Sequence, residues 1–239
     1  MDSSQQALIE RLDQCIREIE VNSRACAETT ISWGVPGLEK VLPKVSGGSL
    51  VELLSARQGA GVWTLALILA RQACGQRKVM MIADEQRRFY PPAAAGMGID
   101  LCRTVVIRPK KGSGSFLAAL VQSLRCSAVG AVLGWFDRLP PVDFRRLQLA
   151  AESGGGLGLM LRPRTALRTP SFAAARLLIA PVATGEASLR RLRVEAVRVR
   201  GGKTGQSLIL EVDDETGDVR VPAVVAVAAT VARPARAAR

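Results

Sequence analysis

Histidine is missing from the 239-residue chain, and aromatic residues make up only 4% of it. Without histidine the chain lacks the commonest general base, the Ser/His and Cys/His nucleophile pairs and the usual zinc sites. The five cysteines are scattered and form no C-x-x-C pattern, which favours reduced thiols in a cytoplasmic protein. No apolar run reaches the roughly 18 residues of a membrane span. The polar start MDSSQQALIE does not resemble a signal peptide.

Acidic residues are also few, since 21 aspartates and glutamates face 33 lysines and arginines, a net charge of +12. This charge attracts polyanions or an acidic protein partner over long range; the alternative is an arginine-rich surface that is simply solvated. Apolar residues make up 48% of the chain, enough for one large domain. We expect a core domain over residues 30–221, a helix and linker before it (1–29) and a disordered Ala/Arg-rich tail after it (222–239).

The first 29 residues contain one predicted helix with a narrow apolar seam. Ser3 and Gln6 fit a capping box at its start. Four aliphatic residues then recur at helical spacing. A seam of this kind packs either on its own domain or on another chain. Its residues are Leu8, Leu12, Ile16 and Ile19.

The segment from Ser49 to Gly75 has the outline of a phosphate-binding P-loop. An apolar strand, a loop with two glycines and an apolar helix follow one another in the P-loop order. Val62 and Trp63 stand where the pattern has lysine and Ser/Thr, so only backbone N–H groups and the helix dipole would face a phosphate. A strand–turn–helix unit that never bound nucleotide is the alternative. The degenerate loop comprises Arg57, Gln58, Gly59, Ala60, Gly61, Val62 and Trp63.

Buried-strand patterns and amphipathic helices alternate between residues 49 and 161, which predicts a three-layer α/β domain with a mainly parallel sheet. From Arg176 onward strands follow one another, so antiparallel strands are expected at the C-terminal edge of the sheet. In the stretch RLRVEAVRVR the apolar parity slips between Ala196 and Val197. A β-bulge there would keep the apolar side chains on one face.

The order of these segments resembles the RecA superfamily. The pieces that carry the resemblance are ISWGVPGLEKVLPKVSGGSLVELL, the degenerate loop, IADEQRRFYPPAAAGMGIDLCRTVVIRP, AVLGWF, LGLMLRP and LRVEAVRVRGGKTG. They span about residues 30–215 and are most similar to the ImuA family, RecA-like accessory proteins of bacterial mutagenic translesion synthesis. The SulA cell-division inhibitors are a shorter related family. The resemblance implies a RecA-like fold with a degenerate nucleotide site.

The resemblance also implies that the RecA-type ATPase site has been lost. The P-loop lysine and threonine correspond to Val62 and Trp63. The aspartate that ends the second magnesium strand corresponds to Gly134, and the nucleotide-sensing amide falls in the region of residues 162–163. Only Glu85 lies near the position of the glutamate that polarises water, and it has nothing to act on without a positioned γ-phosphate. We therefore expect no enzymatic activity and no cofactor.

The ImuA resemblance implies an adaptor of the DNA-damage (SOS) response. Such an adaptor bridges RecA, the inactive polymerase homologue ImuB and an error-prone DNA polymerase III alpha-type subunit. RecA packs a terminal helix on its neighbour, which implies that the N-terminal seam contacts RecA or a second copy of this chain. Two other functions stay open: a residual DNA-dependent ATPase or recombinase, and a SulA-like inhibitor of cell division.

Arg198, Arg200 and Lys203 are the candidate contacts for DNA or a partner. Arg198 and Arg200 share one face of a predicted strand, and Lys203 lies in the glycine turn that follows. The resemblance places this region near the DNA of RecA. No aromatic residues interleave with these charges, as they usually do in single-strand binders. The alternative is a polar outer face of the strand.

Two further predictions concern residues outside these candidate contacts. We expect Arg108, Lys110 and Lys111, beside a glycine loop, to be solvated. We also expect the rings of Trp63 and Trp135 to fill part of the vacated nucleotide pocket, so that no cavity remains there.

Overall fold

The computed structural model describes residues 30–35, 37–42, 45–109, 115–184, 189–213 and 218–222. The predicted seam at residues 8–19, Lys110, Lys111 and the tail from residue 223 lie outside the described residues. The strands are β1 Thr30–Ile31, β2 Val45–Ser46, β3 Leu50–Ser55, β4 Val79–Ala83, β5 Thr104–Ile107, β6 Val129–Trp135, β7 Leu157–Pro163, β8 Ala175–Val182, β9 Leu189–Val199, β10 Ser207–Asp213 and β11 Val219–Arg220. The helices are α1 Val62–Cys74, α2 Pro91–Gly96, α3 Ser115–Arg125 and α4 Pro141–Gly154, with short 3-10 helices at Leu38–Lys40, Leu101–Arg103 and Arg164–Arg168.

Nine of these strands form one sheet in the order β11-β10-β9-β8-β3-β7-β6-β4-β5. The six strands from β8 to β5 are parallel, and β9, β10 and β11 extend the sheet with antiparallel pairing. Helix α1 packs on one face, and α3 and α4 pack on the other. The predicted three-layer α/β architecture, with antiparallel strands at the C-terminal edge, is confirmed.

Strand β3 lies inside the parallel part of the sheet because its side chains are buried on both faces. Val51 and Leu53 join the core beneath α1, whereas Leu50 joins the core beneath α3 and α4. A strand buried on both faces has a nearly continuous apolar sequence, as LVELLS does. The exception is Glu52, which alternation places on the α3–α4 side.

The parallel strands place their carboxyl ends at one edge of the sheet, and the loops at residues 56–61, 84–90 and 136–140 follow β3, β4 and β6 there. Open α/β sheets bind their ligands at this edge. Within the described ranges, none of the helices combines the length and apolar character needed to cross a membrane.

The predicted bulge in β9 is confirmed. Arg176 on β8 pairs with Arg198, and the next residue, Leu177, pairs with Ala196. Val197 is therefore the extra residue. The bulge shifts the parity of the strand, so that the buried apolar residues are Leu192, Val194 and Ala196 before it and Val199 after it.

Candidate functional site

The glycine loop between β3 and α1 keeps the backbone of a tight turn. Gly59 and Gly61 adopt left-handed φ angles of 73° and 79°. The Ser55 hydroxyl donates a 2.6 Å hydrogen bond to the carbonyl of Arg57. Helix α1 begins at Val62, directly after the loop. Val62 and Trp63 thus place an isopropyl group and an indole in the first turn of this helix.

Strand β9 packs against this loop from outside. A Cβ atom built on Gly61 would clash with the side chain of Leu192, so Leu192 lies directly against the loop. Arg190 Nη1 lies 3.3 Å from the hydroxyl of Thr64, in the first turn of α1. The antiparallel extension of the sheet thus covers part of the helix start at which P-loop proteins bind phosphate.

Gly134, near the end of β6, lies in apolar surroundings. A Cβ atom built on it would be 3.3 Å from Leu120 and 3.4 Å from Phe116. A carboxylate at this position would lose its hydration among these side chains, which is costly for an unpaired charge. The packing therefore suits glycine and not a magnesium-binding aspartate.

Buried Asp84 organises the turn after β4. Its Oδ1 accepts a hydrogen bond from the Arg88 N–H at 2.6 Å, and its Oδ2 accepts one from the Phe89 N–H at 3.3 Å. Arg108 Nε lies 3.3 Å from the same Oδ2. Arg108 is exposed, as expected, and in addition it pairs with this carboxylate 24 positions away. Glu85, the next residue after Asp84, is half-buried at the carboxyl end of β4.

The two tryptophans have different surroundings. Trp135 Nε1 donates a 2.8 Å hydrogen bond to Asp137 Oδ1, and the Arg88 guanidinium lies 5.0 Å above its ring. Trp63 borders a cavity of about 250 Å³. Its lining includes neither the 57–61 loop nor Trp135, so the expectation that the two rings fill the vacated nucleotide pocket stays a prediction. We call this cavity the Trp63 pocket; its lining includes Leu67, Phe89, Tyr90, Ala93 and Arg190.

Glu52, Arg162 and Arg176 form a buried ionic cluster across three adjacent strands. Glu52 is 0% exposed, and the two arginines are 2% and 6% exposed. Arg162 Nη1 donates to Glu52 Oε1 at 2.7 Å, and Arg176 Nε lies 2.6 Å from Glu52 Oε2. One carboxylate thus faces two guanidinium groups in the protein interior.

The same arginines hold the segment between β7 and β8. Arg176 donates to the carbonyl of Ala166 at 2.6 Å and to that of Thr169 at 3.2 Å. Arg162 Nη1 lies 3.3 Å from the Thr169 hydroxyl. This segment follows the position assigned to the nucleotide-sensing amide, and the protein's own buried charges fix it in place.

The candidate DNA residues lie together at one end of the β9–β10 hairpin. Arg198, Arg200 and Lys203 are all exposed, and Arg198 and Arg200 flank buried Val199 on the same side of the chain. Arg198 also donates a 2.8 Å hydrogen bond to the carbonyl of Ser171, which links β9 to the segment before β8. Contact of these three residues with DNA stays a prediction.

A second ionic cluster lies on the antiparallel part of the sheet. Glu211 on β10 accepts hydrogen bonds from Arg191 Nε at 2.7 Å and from Arg220 Nε at 3.0 Å. The hydrogen bonds from Arg191 and then Arg220 hold the pKa of the Glu211 carboxyl below its usual range, against the opposing effect of burial. This cluster ties three strands together at the sheet edge.

Sequence reasoning missed Glu52, Asp84 and Glu211, although one signal was present. Each is an acidic residue within or directly after an apolar strand, where an ion needs a partner. The identity of the partner is not encoded locally, since Glu52 and Arg162 are 110 positions apart.

Comparisons with known proteins agree with this geometry. No protein-family model matches the chain. The ImuA protein of Caulobacter vibrioides is 26% identical in a 200-residue alignment that covers 73% of this chain and 80% of ImuA. The cell division inhibitor SulA of Erwinia pyrifoliae is 28% identical over 117 residues, covering 48% of this chain and 69% of SulA. The crystal structure of the RadB recombinase superimposes with a TM-score of 0.63 at 15% identity, over 81% of this chain and 100% of that chain. The RecA-like fold and the resemblance to ImuA are confirmed.

Proposed function

We propose that this ImuA-like chain with a RecA-type fold is a non-catalytic adaptor of mutagenic translesion synthesis in the DNA-damage response. It bridges RecA, an ImuB-type polymerase homologue and an error-prone DNA polymerase III alpha-type subunit. The similarity to ImuA over 73% of the chain supports the pathway. In this proposal the chain acts by binding its partners through its surface and not by hydrolysing ATP.

The observation that carries the proposal is a RecA-type scaffold whose nucleotide positions hold apolar residues. Val62 and Trp63 replace the P-loop lysine and hydroxyl, and Leu192 packs on the glycine loop. Phosphoryl transfer depends on positioning and on neutralising the charge of the phosphates. Neither replacement brings a charge or a metal-binding oxygen to that place.

An ATP-hydrolysis assay tests the absence of catalysis. The purified chain should release no phosphate above a heat-inactivated control at millimolar MgATP, with or without single-stranded DNA. Val62→Lys combined with Trp63→Thr should not create activity, because the packing of Leu192 and Gly134 is unchanged. Turnover that rises when single strands are added would instead establish the DNA-dependent ATPase or recombinase.

Co-purification tests the adaptor role. The tagged chain, isolated from cells after DNA damage, should bring down RecA, the ImuB-type protein and the polymerase. The association should survive nuclease treatment, because an adaptor contacts its partners directly. Loss of all three proteins after nuclease treatment would contradict the proposal.

The end of the β9–β10 hairpin is the candidate DNA contact within this function. Arg200→Glu with Lys203→Glu removes positive charge but leaves the bond from Arg198 to the preceding segment intact. Affinity for a single-stranded oligonucleotide should fall, and its salt slope should decrease by roughly 0.7 for each lost phosphate contact. Arg125→Glu, at an exposed arginine that ends α3, is the matched control. If both changes lowered the affinity for the oligonucleotide equally, the hairpin would not be a specific DNA contact.

A SulA-like inhibition of cell division is the second candidate function. It is favoured by the 28% identity to SulA over 117 residues, although the match covers only 48% of this chain. Filamentous cells after overexpression would support it. Normal division under the same conditions would favour the adaptor.

A further inference from the structure

The Trp63 pocket is apolar and small. Leu67 and Phe89 are 5% and 7% exposed, and the half-buried side chains of Trp63 and Met97 complete its apolar lining. Tyr90, the single tyrosine of the chain, borders it with 66% of its surface exposed. The volume of about 250 Å³ lies below the roughly 300–1,000 Å³ typical of small-molecule sites. The pocket therefore suits one inserted side chain better than a nucleotide.

The turn that forms one wall of the pocket is held before any partner binds. Asp84 fixes the N–H groups of Arg88 and Phe89. Arg87 has a left-handed φ of 54°, found at no other non-glycine position among the described residues. Costly backbone conformations of this kind cluster at ligand-binding and switch sites. A wall fixed in advance lowers the ordering cost of binding.

Trp63 also has an unmet polar requirement. Its indole Nε1 is buried and has no hydrogen-bond acceptor in the described part of the chain. A buried tryptophan N–H normally has a partner. Because the Nε1 atom itself is inaccessible, the unmet hydrogen bond marks imperfect packing around Trp63 and is not a contact open to a bound segment.

The exposed turn beside the pocket is positively charged, through Arg87 and Arg88. Arg88 and Arg190 line the pocket, and Asp213 is the one carboxylate among its lining residues. Arg87 is exposed next to Arg88, and the whole chain carries a net charge of +12. An acidic segment therefore complements this surface, both in long-range attraction and in short-range pairing.

We propose that the Trp63 pocket is a docking site for an acidic segment of a partner protein, which inserts one apolar side chain beside Trp63. The inserted side chain contacts Leu67 and Phe89, and a carboxylate beside it meets Arg88 on the exposed turn. Buried apolar anchors in small pockets carry most of the energy of such contacts. The proposal rests on the adaptor function, because it names how one partner is held.

Fluorine NMR on the full chain tests the proposal. Labelling with 5-fluorotryptophan gives one resonance for each of the three tryptophans, and Trp63→Phe identifies the resonance of Trp63. The probe is a pentapeptide with a central phenylalanine and two glutamates on each side. Titration should shift the Trp63 resonance to saturation and leave that of fully buried Trp33 unchanged. A central alanine, or lysines in place of the glutamates, should each weaken binding at least tenfold.

Two matched variants locate the site. Ala93→Phe places a ring in the pocket from an exposed lining position and should abolish the shift. Val142→Phe, at a 72% exposed position on α4, should leave it unchanged. Both variants should keep the melting temperature of the parent chain, which shows that any loss is local.

Three results would overturn the proposal. They are an unshifted Trp63 resonance, peptide binding that survives Ala93→Phe, and a shift produced by adenosine that the peptide does not compete away. None of these results changes the expected outcome of the ATP-hydrolysis or co-purification experiment on the parent chain. The docking site can therefore be disproved while the adaptor function stands. If the adaptor function holds, the Ala93→Phe chain should lose one co-purifying protein that the Val142→Phe chain retains.

Discussion

Glu52→Gln should lower the unfolding free energy by about 3–5 kcal/mol, because it leaves two buried guanidinium groups without their carboxylate. Arg162 and Arg176 lie 2.7 and 2.6 Å from the two Glu52 oxygens, and all three side chains are buried. Glutamine nearly preserves the volume of glutamate, so little of the loss comes from packing. The lost charge therefore dominates the effect.

Urea unfolding, followed by the fluorescence of the three tryptophans, measures this change. For a domain of this size the loss corresponds to a drop in Tm of about 6–20 °C. The control is Glu39→Gln at an exposed glutamate, which should change stability by less than about 0.5 kcal/mol. A loss below about 1 kcal/mol for Glu52→Gln would refute the reasoning, since the two arginines would then not depend on this carboxylate.

Replacing all three residues of the cluster by apolar ones tests two roles of the arginines separately, namely pairing with Glu52 and holding the segment between β7 and β8. Glu52→Leu with Arg162→Met and Arg176→Leu should be more stable than Glu52→Leu alone, because apolar residues often replace buried ion pairs without loss. The triple variant also removes the hydrogen bonds that hold residues 164–169. Trypsin should therefore cut faster in this segment although the fold is stable. An unchanged cleavage rate would show that the arginines do not anchor it.

Acid should weaken the fold partly through Glu211, because the pKa of this carboxyl is lower in the folded chain than in the unfolded chain. The stability gained from this difference is complete above the unfolded pKa of about 4.3, and it is lost as pH falls through the folded pKa. Glu211→Gln should flatten the fall of Tm below about pH 5, and an unchanged slope would speak against the ion cluster. Burial raises the pKa of Cys74 to about 11, so iodoacetamide at about pH 8 should modify exposed Cys102 much faster than Cys74. Peptide mass mapping measures the two rates, and equal rates would contradict the prediction. Gly61→Ala should lower the unfolding free energy, measured in urea, by about 1–3 kcal/mol. Leu192→Ala in the same chain should restore part of that loss, whereas strictly additive effects of the two changes would exclude the contact between Gly61 and Leu192.

Local patterns were sufficient to predict the scaffold. The strands and amphipathic helices predicted to alternate between residues 49 and 161 are observed there in that order. The bulge at Val197 was also predictable, because side-chain parity in a strand leaves a one-residue slip visible in the sequence. These features depend on residues that are neighbours in the chain.

The contacts that shape the candidate site are not local. Arg190 and Thr64 are 126 positions apart, and Arg162 and Glu52 are 110 apart. The pairing of Arg162 with Glu52 follows from the sheet order, which places β7 directly beside β3. The pairing of Arg108 with Asp84 was missed for the same reason, since the position of Arg108 beside a glycine loop says nothing about Asp84. The Trp63 pocket needs four separate segments of the chain, and periodicity in one segment cannot reveal it.

Three segments at the carboxyl edge of the sheet are held by contacts within the chain. Leu192 packs on the glycine loop, Asp84 fixes the turn after β4, and the Glu52 cluster holds the segment before β8. A ligand can shift a conformational equilibrium only if it binds the alternative states with different affinity. These contacts fix the segments without any bound ligand, so ATP would have to break them to change the shape of this edge. In the proposed adaptor, the edge would serve as a preformed binding surface.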